Sequence, residues 1–170
     1  MNETDALQSY LTFSLAGEWF AAPVGKVFEI LEIPRITKIP KSPDFMRGVI
    51  SLRGQALIVV DGRSKFGMPH TTDTVDTCIV VLDILMEGKG MNIGVVVDEV
   101  HEVLELEEDA IQPLPSIGEK FNTAFIQGMV KDEDRFIMLL DLDQVFSQEE
   151  VSILQGITQE IKQQEIAKEK

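Results

Sequence analysis

A chain of 170 residues with 44% hydrophobic residues and a mean hydropathy near zero forms one domain, or two small lobes sharing a core, and is long enough to fold unaided. Its formal net charge of −14 opposes nucleic-acid binding, which relies on phosphate neutralisation by Lys and Arg, and disfavours attachment to anionic lipid. The single cysteine, Cys78, excludes an intrachain disulfide, and no apolar run approaches the roughly 18 residues of a membrane-spanning helix.

The opening MNETDALQSY is acidic and lacks an apolar secretory segment, which predicts a cytoplasmic protein with no membrane insertion. Short runs rich in Val, Ile and Leu follow, bounded by Gly, Pro or acidic turns. They predict strands at Tyr10–Leu15, Trp19–Ala22, Phe28–Ile33, Met46–Leu52 and Gln55–Asp61, then at Thr77–Leu85, Met91–Val97, Val100–Leu106, Phe125–Lys131 and Arg135–Leu140. Cys78 falls in the sixth of these and reads as a buried, inert thiol. Helical turns are expected at Pro43–Phe45, Asp61–Phe66 and Asp141–Phe146. One long helix closes the chain over 148–170: Ser147 and Glu150 form a capping box, Val151, Leu154, Ile157 and Ile161 mark an apolar face, and the tail frays beyond about Gln163. The class is all-β, as barrels or a sandwich.

An internal repeat organises the strands. FMRGVISLRGQALIVVDGRSKFG (45–67) aligns without a gap on FIQGMVKDEDRFIMLLDLDQVFS (125–147), matching Phe45, Gly48, Asp61 and Phe66 with Phe125, Gly128, Asp141 and Phe146. VFEILEI (27–33) parallels VHEVLEL (100–106), and Pro40 parallels Pro115. The domain over 8–147 is therefore two similar five-stranded lobes, about 10–67 and 77–147, joined by Gly67–Asp76. Strands stay within their lobe or are exchanged between lobes; both arrangements fit the repeat.

Residues shared by both copies make the lobe. Asp61 and Asp141 each precede a helical turn, where a carboxylate satisfies unpaired backbone N–H groups, so Asp141 and Asp143 are not a metal pair. Function belongs where the copies differ. The second copy turns through Lys131-Asp132-Glu133-Asp134-Arg135, an ordinary solvated turn; the first has Ser51-Leu52-Arg53-Gly54, with Arg47, Arg53 and Arg63 as basic exceptions nearby. Burying Leu52 against a partner would contribute roughly 1.5–3 kcal/mol, and Arg53 would form a bidentate bond to a partner carboxylate. In the competing reading Arg53 pairs with a carboxylate of its own chain and Leu52 covers the other lobe.

No chemistry of an enzyme is visible. His70 lies in the connector and His101 takes the place of Phe28 in the repeat, as a packing residue. There is no zinc spacing, nucleophile elbow or phosphate loop, and the run Glu105, Glu107, Glu108, Asp109 lacks calcium-loop order. No catalytic residue, cofactor or metal is expected.

The hairpin GVISLRGQALIVVDGR resembles the signature of the CheW family of bacterial chemotaxis coupling proteins: glycine-valine, then Asn-Leu-Arg-Gly, then an apolar strand ending Val-Asp-Leu-Arg. YLTFSLAGEWFAAPVGKVFEIL, MNIGVVVDEVHEVLEL and FIQGMVKDEDRFIMLLDLDQVF are similar to the family's opening, central and last segments, so the likeness covers about residues 8–155. It implies two five-stranded SH3-like β-barrels and a scaffold linking the histidine kinase CheA, through its regulatory domain of the same fold, to the cytoplasmic tips of methyl-accepting receptors. It further implies recruitment to receptor arrays at the inner membrane face and a receptor site in the groove between lobes. The matching receptor-binding positions are Val27 and Glu29 on one strand, Gly48, Leu52, Arg53 and Gly54 on the hairpin, and Ile79 and Gly94 in the second half. The alternatives are a coupling protein for pilus-based movement and a small-molecule sensor using the same groove.

Overall fold

The computed structural model describes residues 7–70, 72–114 and 124–169, with side chains as far as residue 161; Pro115 lies outside them. The elements are β1 (Gln8–Leu15), β2 (Glu18–Pro23), β3 (Val27–Glu32), β4 (Met46–Leu52), β5 (Gln55–Asp61), α1 (Gly62–Lys65), β6 (Cys78–Met86), β7 (Lys89–Val97), β8 (Glu99–Leu106), β9 (Ile126–Asp132), β10 (Arg135–Leu140) and α2 (Gln148–Glu169). Pro43–Phe45 is a turn closed by Met46 N–H on the Pro43 carbonyl, not a helix. The helix α2 continues past Gln163, where fraying was expected.

Two five-stranded sheets result, in the orders β8-β1-β2-β10-β9 and β3-β6-β7-β5-β4. Numbering the second half as a copy of the first makes these orders identical, with one substitution. Each half gives its opening hairpin, β1–β2 or β6–β7, to the sheet built by the other half's last three strands. The contiguous lobes 10–67 and 77–147 are thus not the sheets: strands are exchanged reciprocally. Parallel pairing of β2 with β10 and of β5 with β7 stitches each donated hairpin in place.

Side chains alternate between two apolar environments. In β6, Ile79 and Val81 face a small cluster inside their own sheet, while Val80, Leu82 and Ile84 face a larger core. The inward face of all five strands of this sheet packs on that small cluster, with Leu31 from one edge and Ile50 from the other, so the sheet curls into a barrel. Tyr10, Ala21, Val130, Ile137 and Leu139 fill the other barrel in the same way. The larger core lies between the barrels and takes Phe13, Phe20, Val60, Val95 and Leu140 from both sheets, and Leu154 from α2. Central strands are therefore buried on both faces, which is why they read as unbroken apolar runs. The edge strand β3 is covered on one face and alternates.

The repeat's shared residues are structural, as expected. Phe45 meets Phe146 (5.9 Å) and Phe66 meets Phe125 (4.7 Å), a crosswise pairing of matched residues about the pseudo-two-fold axis. The Asp61 carboxylate caps α1 by accepting from Arg63 and Ser64 N–H, and Asp141 accepts from Asp143 N–H. Ser147 and Glu150 form the capping box, with bonds of 2.8 and 3.2 Å. Gly48 and Gly128 each sit where a segment of the chain crosses the hairpin. Thr37 bridges Val49 and Gln112 bridges Met129, and an added Cβ would strike the Thr37 or Gln112 carbonyl.

The connector is pinned by charge. Arg63 at the start of α1 is fully buried and reaches Asp61 (3.5 Å), Asp73 in the connector (3.0 Å) and Asp98 after β7 (3.3 Å). Asp98 in turn accepts from Ala16 N–H in the β1–β2 turn. Arg47 closes on the other face of Asp73 at 2.7 Å. Its hydrogen bond, assisted by that from Arg63, holds the Asp73 carboxyl at about 2, against the opposing effect of burial. Arg47 and Arg63 are accordingly parts of the frame.

Gly48→Ala forces a methyl against a backbone carbonyl at a positive φ of 147°. It should cost roughly 3 kcal/mol, a melting-temperature fall of about 6–12 °C; a change within 2 °C would contradict the crossing. A depressed carboxyl stabilises the fold above its ordinary titration range and loses that contribution as pH falls towards the folded value. Asp73→Asn should therefore lower the melting temperature at pH 7 and flatten the loss of stability between about pH 4 and pH 2. Acid curves that run parallel in wild type and variant would remove Asp73 from the frame.

Candidate functional site

The β4–β5 hairpin turns on two residues. Leu52 pairs with Gln55 as the last rung, and Arg53 and Gly54 form the loop with φ of 51° and 79°. The same pair of left-handed residues recurs at Ala16-Gly17 and Glu87-Gly88, and Glu133 repeats the first position. Twin positive φ values match the right-handed twist of the flanking strands. Gly54 thus answers to the turn, and Leu52 is a strand residue, not a tip residue. It packs half-buried on the inside of its own barrel and does not cover the other one.

Arg53 projects from the tip with its side chain 66% exposed and clasps Glu29 bidentately, at 2.6 and 3.1 Å. Glu29 belongs to β3 and Arg53 to the β4–β5 hairpin, so the pair spans the seam where the sheet's two edges meet. The Phe28 ring lies 6.0 Å from the guanidinium carbon and is 57% exposed, with Ile30 beyond it at 46%. In the second barrel the matching positions hold Glu102 and Glu133, which cannot form such a pair. His101, the counterpart of Phe28, stacks on Trp19 at 3.9 Å and shares a hydrogen bond with Ser14.

A groove of 580 Å³ opens beside this pair. Phe28, Leu52 and Arg53 form one rim, Ala56 and Met91 the floor, and Thr158 and Ile161 of α2 the opposite rim. Its walls come from the β3-β6-β7-β5-β4 barrel and α2, so it lies between one barrel and the helix, not between two barrels.

The predicted positions divide. Glu29, Leu52, Arg53 and Gly54 gather at the seam and the tip. Val27 opens β3 half-buried against the inter-barrel core. Ile79 has no exposed surface, and Gly94 lies behind it, where a Cβ would come within 2.8 Å of the Ile79 Cγ2. Gly48 is buried under Thr37. Gly48, Ile79 and Gly94 are buried within the sheet and lie outside the lining of the groove. Cys78 is half-buried, not buried, and desolvation pushes its thiol up from the ordinary value, which keeps it protonated. Phe28, Met91, Thr158 and Ile161 were missed. The exchange of Phe28 for His101 between copies was a usable signal for the first, while Thr158 and Ile161 border the same groove as Met91 from 67 and 70 residues away in sequence.

A family model described as a CheW-like domain matches residues 9–150. The chemotaxis protein CheW of Klebsiella aerogenes is 31% identical over 150 residues, covering 88% of each chain. The CheW of Rhizobium meliloti is 33% identical over 147 residues, covering 86% of this chain and 92% of its own. The solved structure of the scaffolding protein TtCheW from Thermoanaerobacter tengcongensis superposes with a TM-score of 0.75 at 33% identity, over 85% of this chain and 90% of that one.

Proposed function

The chain belongs to the CheW family, and from that premise we propose that this chemotaxis coupling scaffold joins the cytoplasmic tips of methyl-accepting receptors to the histidine kinase CheA. It works without catalysis. The kinase's regulatory domain, of the same SH3-like fold, pairs with it barrel to barrel, and the protein acts in the cytoplasm at receptor arrays on the inner membrane face. Its relatives from Klebsiella aerogenes and Rhizobium meliloti are chemotaxis proteins, which favours chemotaxis over pilus movement.

The observation that carries the receptor site is the exposed seam between Glu29 and Arg53 beside the groove. A surface ion pair is worth about 0.2–1 kcal/mol, and here the Arg53 side chain stays largely exposed while Glu29 is half-buried. Such a pair holds Arg53 in position at little cost to exchange, so a polar group of a docking helix can take over one of its donors. Leu52 and Phe28 then supply apolar contact on either side of the charge. Arrays engage several such modest contacts at once, which raises effective concentration and gives avidity without strong single interfaces.

Arg53→Glu sets two carboxylates face to face across the seam and should reduce retention on an immobilised receptor-tip fragment at least tenfold. Its melting temperature should stay within about 4 °C of wild type, since a surface change costs at most about 1 kcal/mol. Glu133→Arg, at the equivalent tip of the other barrel, should bind as wild type does. Equal retention of both variants would dismiss the seam as the receptor site.

A further inference from the structure

The helix α2 changes character along its length. Its first part is anchored: Val151 and Leu154 are buried in the inter-barrel core, and Ile157 packs on its edge. Gly156 follows, exposed, with nothing among the described residues within 4 Å of the place a Cβ would take. No close approach or backbone angle calls for glycine there, yet glycine is among the poorest residues for a helix interior. Two residues on, the Thr158 hydroxyl donates to the Leu154 carbonyl at 2.9 Å, a back-bond that bends helices. Thr158 also stands between two cavities. One is the 580 Å³ groove; the other, of 360 Å³, lies on the opposite side of the helix beside Met86, Lys89 and Gln155. The second half of α2 thus starts from a weakened turn, and its Thr158 borders both cavities together with Met91 of β7.

The other walls of the groove are fixed. Its floor belongs to β5 and β7, which are locked by parallel pairing of Val59, Val60 and Asp61 with Gly94, Val95 and Val96. Among the described residues, α2 alone borders it without a backbone ladder. One turn of a helix with its side chains fills roughly 400–600 Å³, so the groove admits about one turn. A longer helix laid along it past Arg53 meets Thr158 and Ile161 of α2 as the opposite rim.

We infer that the part of α2 beyond Gly156 is a hinged strap, which occupies the far side of the groove in the free protein and swings out when a receptor helix docks against Arg53. This rests on the groove being the receptor site. Stiffening the hinge and removing the strap then act in opposite directions. Titration calorimetry against a receptor-tip fragment would compare the full chain, Gly156→Ala, a chain ending at Ile157, and Arg53→Glu. Gly156→Ala should bind about fivefold more weakly, the scale of the helix-propensity difference between glycine and alanine. The shortened chain, which keeps Val151 and Leu154, should bind severalfold more tightly and still melt cooperatively; if it does not melt cooperatively, Gly156→Ala decides alone. Unchanged affinity in Gly156→Ala, or weaker binding by a folded shortened chain, overturns the strap. If either occurs while Arg53→Glu still abolishes binding, the groove reading stands without it. Binding that is indifferent to Arg53→Glu overturns the groove reading and the strap together.

Discussion

Each barrel is completed by a hairpin that the other half of the chain supplies, and the remaining features follow from that exchange. A donated hairpin must be apolar on both faces, one for the barrel it enters and one for the core between barrels. β6 and β7 meet this demand with Ile79 to Leu82 and Ile93 to Val97, and β1 and β2 meet it with Phe13, Leu15 and Phe20 towards the core and Tyr10 and Ala21 towards the barrel. Neither half can bury these faces alone, so the two barrels and the core between them form one cooperative body. The matched phenylalanines, meeting crosswise, show the same constraint at the level of single rings.

Charge is used in two ways that burial separates. Arg63 has no exposed surface and gathers carboxylates from α1's cap, the connector and the end of β7, so it ties together the three segments between which the chain changes barrel. A buried cation is tolerable only when it is so compensated, and removing one partner leaves charge unbalanced in a poorly solvated place. Arg53 is paired as well, but with one carboxylate at the surface. Both arginines are absent from the second copy of the repeat, which has Asp143 and Glu133 in their places. Copy-specificity alone therefore does not separate the frame from the surface; burial does.

The strands, their turns, the caps at Asp61, Asp141 and Ser147, and the two-copy plan were all legible, because each is written in spacing over a few residues. The exchange was not, since identical strands in identical order fit both a closed and an exchanged pairing. The burial of Gly48, Ile79 and Gly94 likewise depends on neighbours across the sheet, which a short window of sequence does not show. Leu52 stands both at the end of a predicted strand and in the four-residue turn; the pairing with Gln55 assigns it to the strand. The apolar, basic hairpin resolves into two parts: a half-buried Leu52 that helps to fill the barrel, and an exposed Arg53 held by Glu29 beside a groove. The far wall of that groove depends on where α2 lands, which no local pattern encodes.

Coupling is tested most directly by cosedimentation of the kinase CheA with vesicles carrying the receptor, with and without this protein. The account predicts that the kinase reaches the pellet only when the chain is present. With Arg53→Glu it should stay in the supernatant, still bound to the variant in solution. Kinase that sediments equally without the chain, or equally with Arg53→Glu, would contradict it.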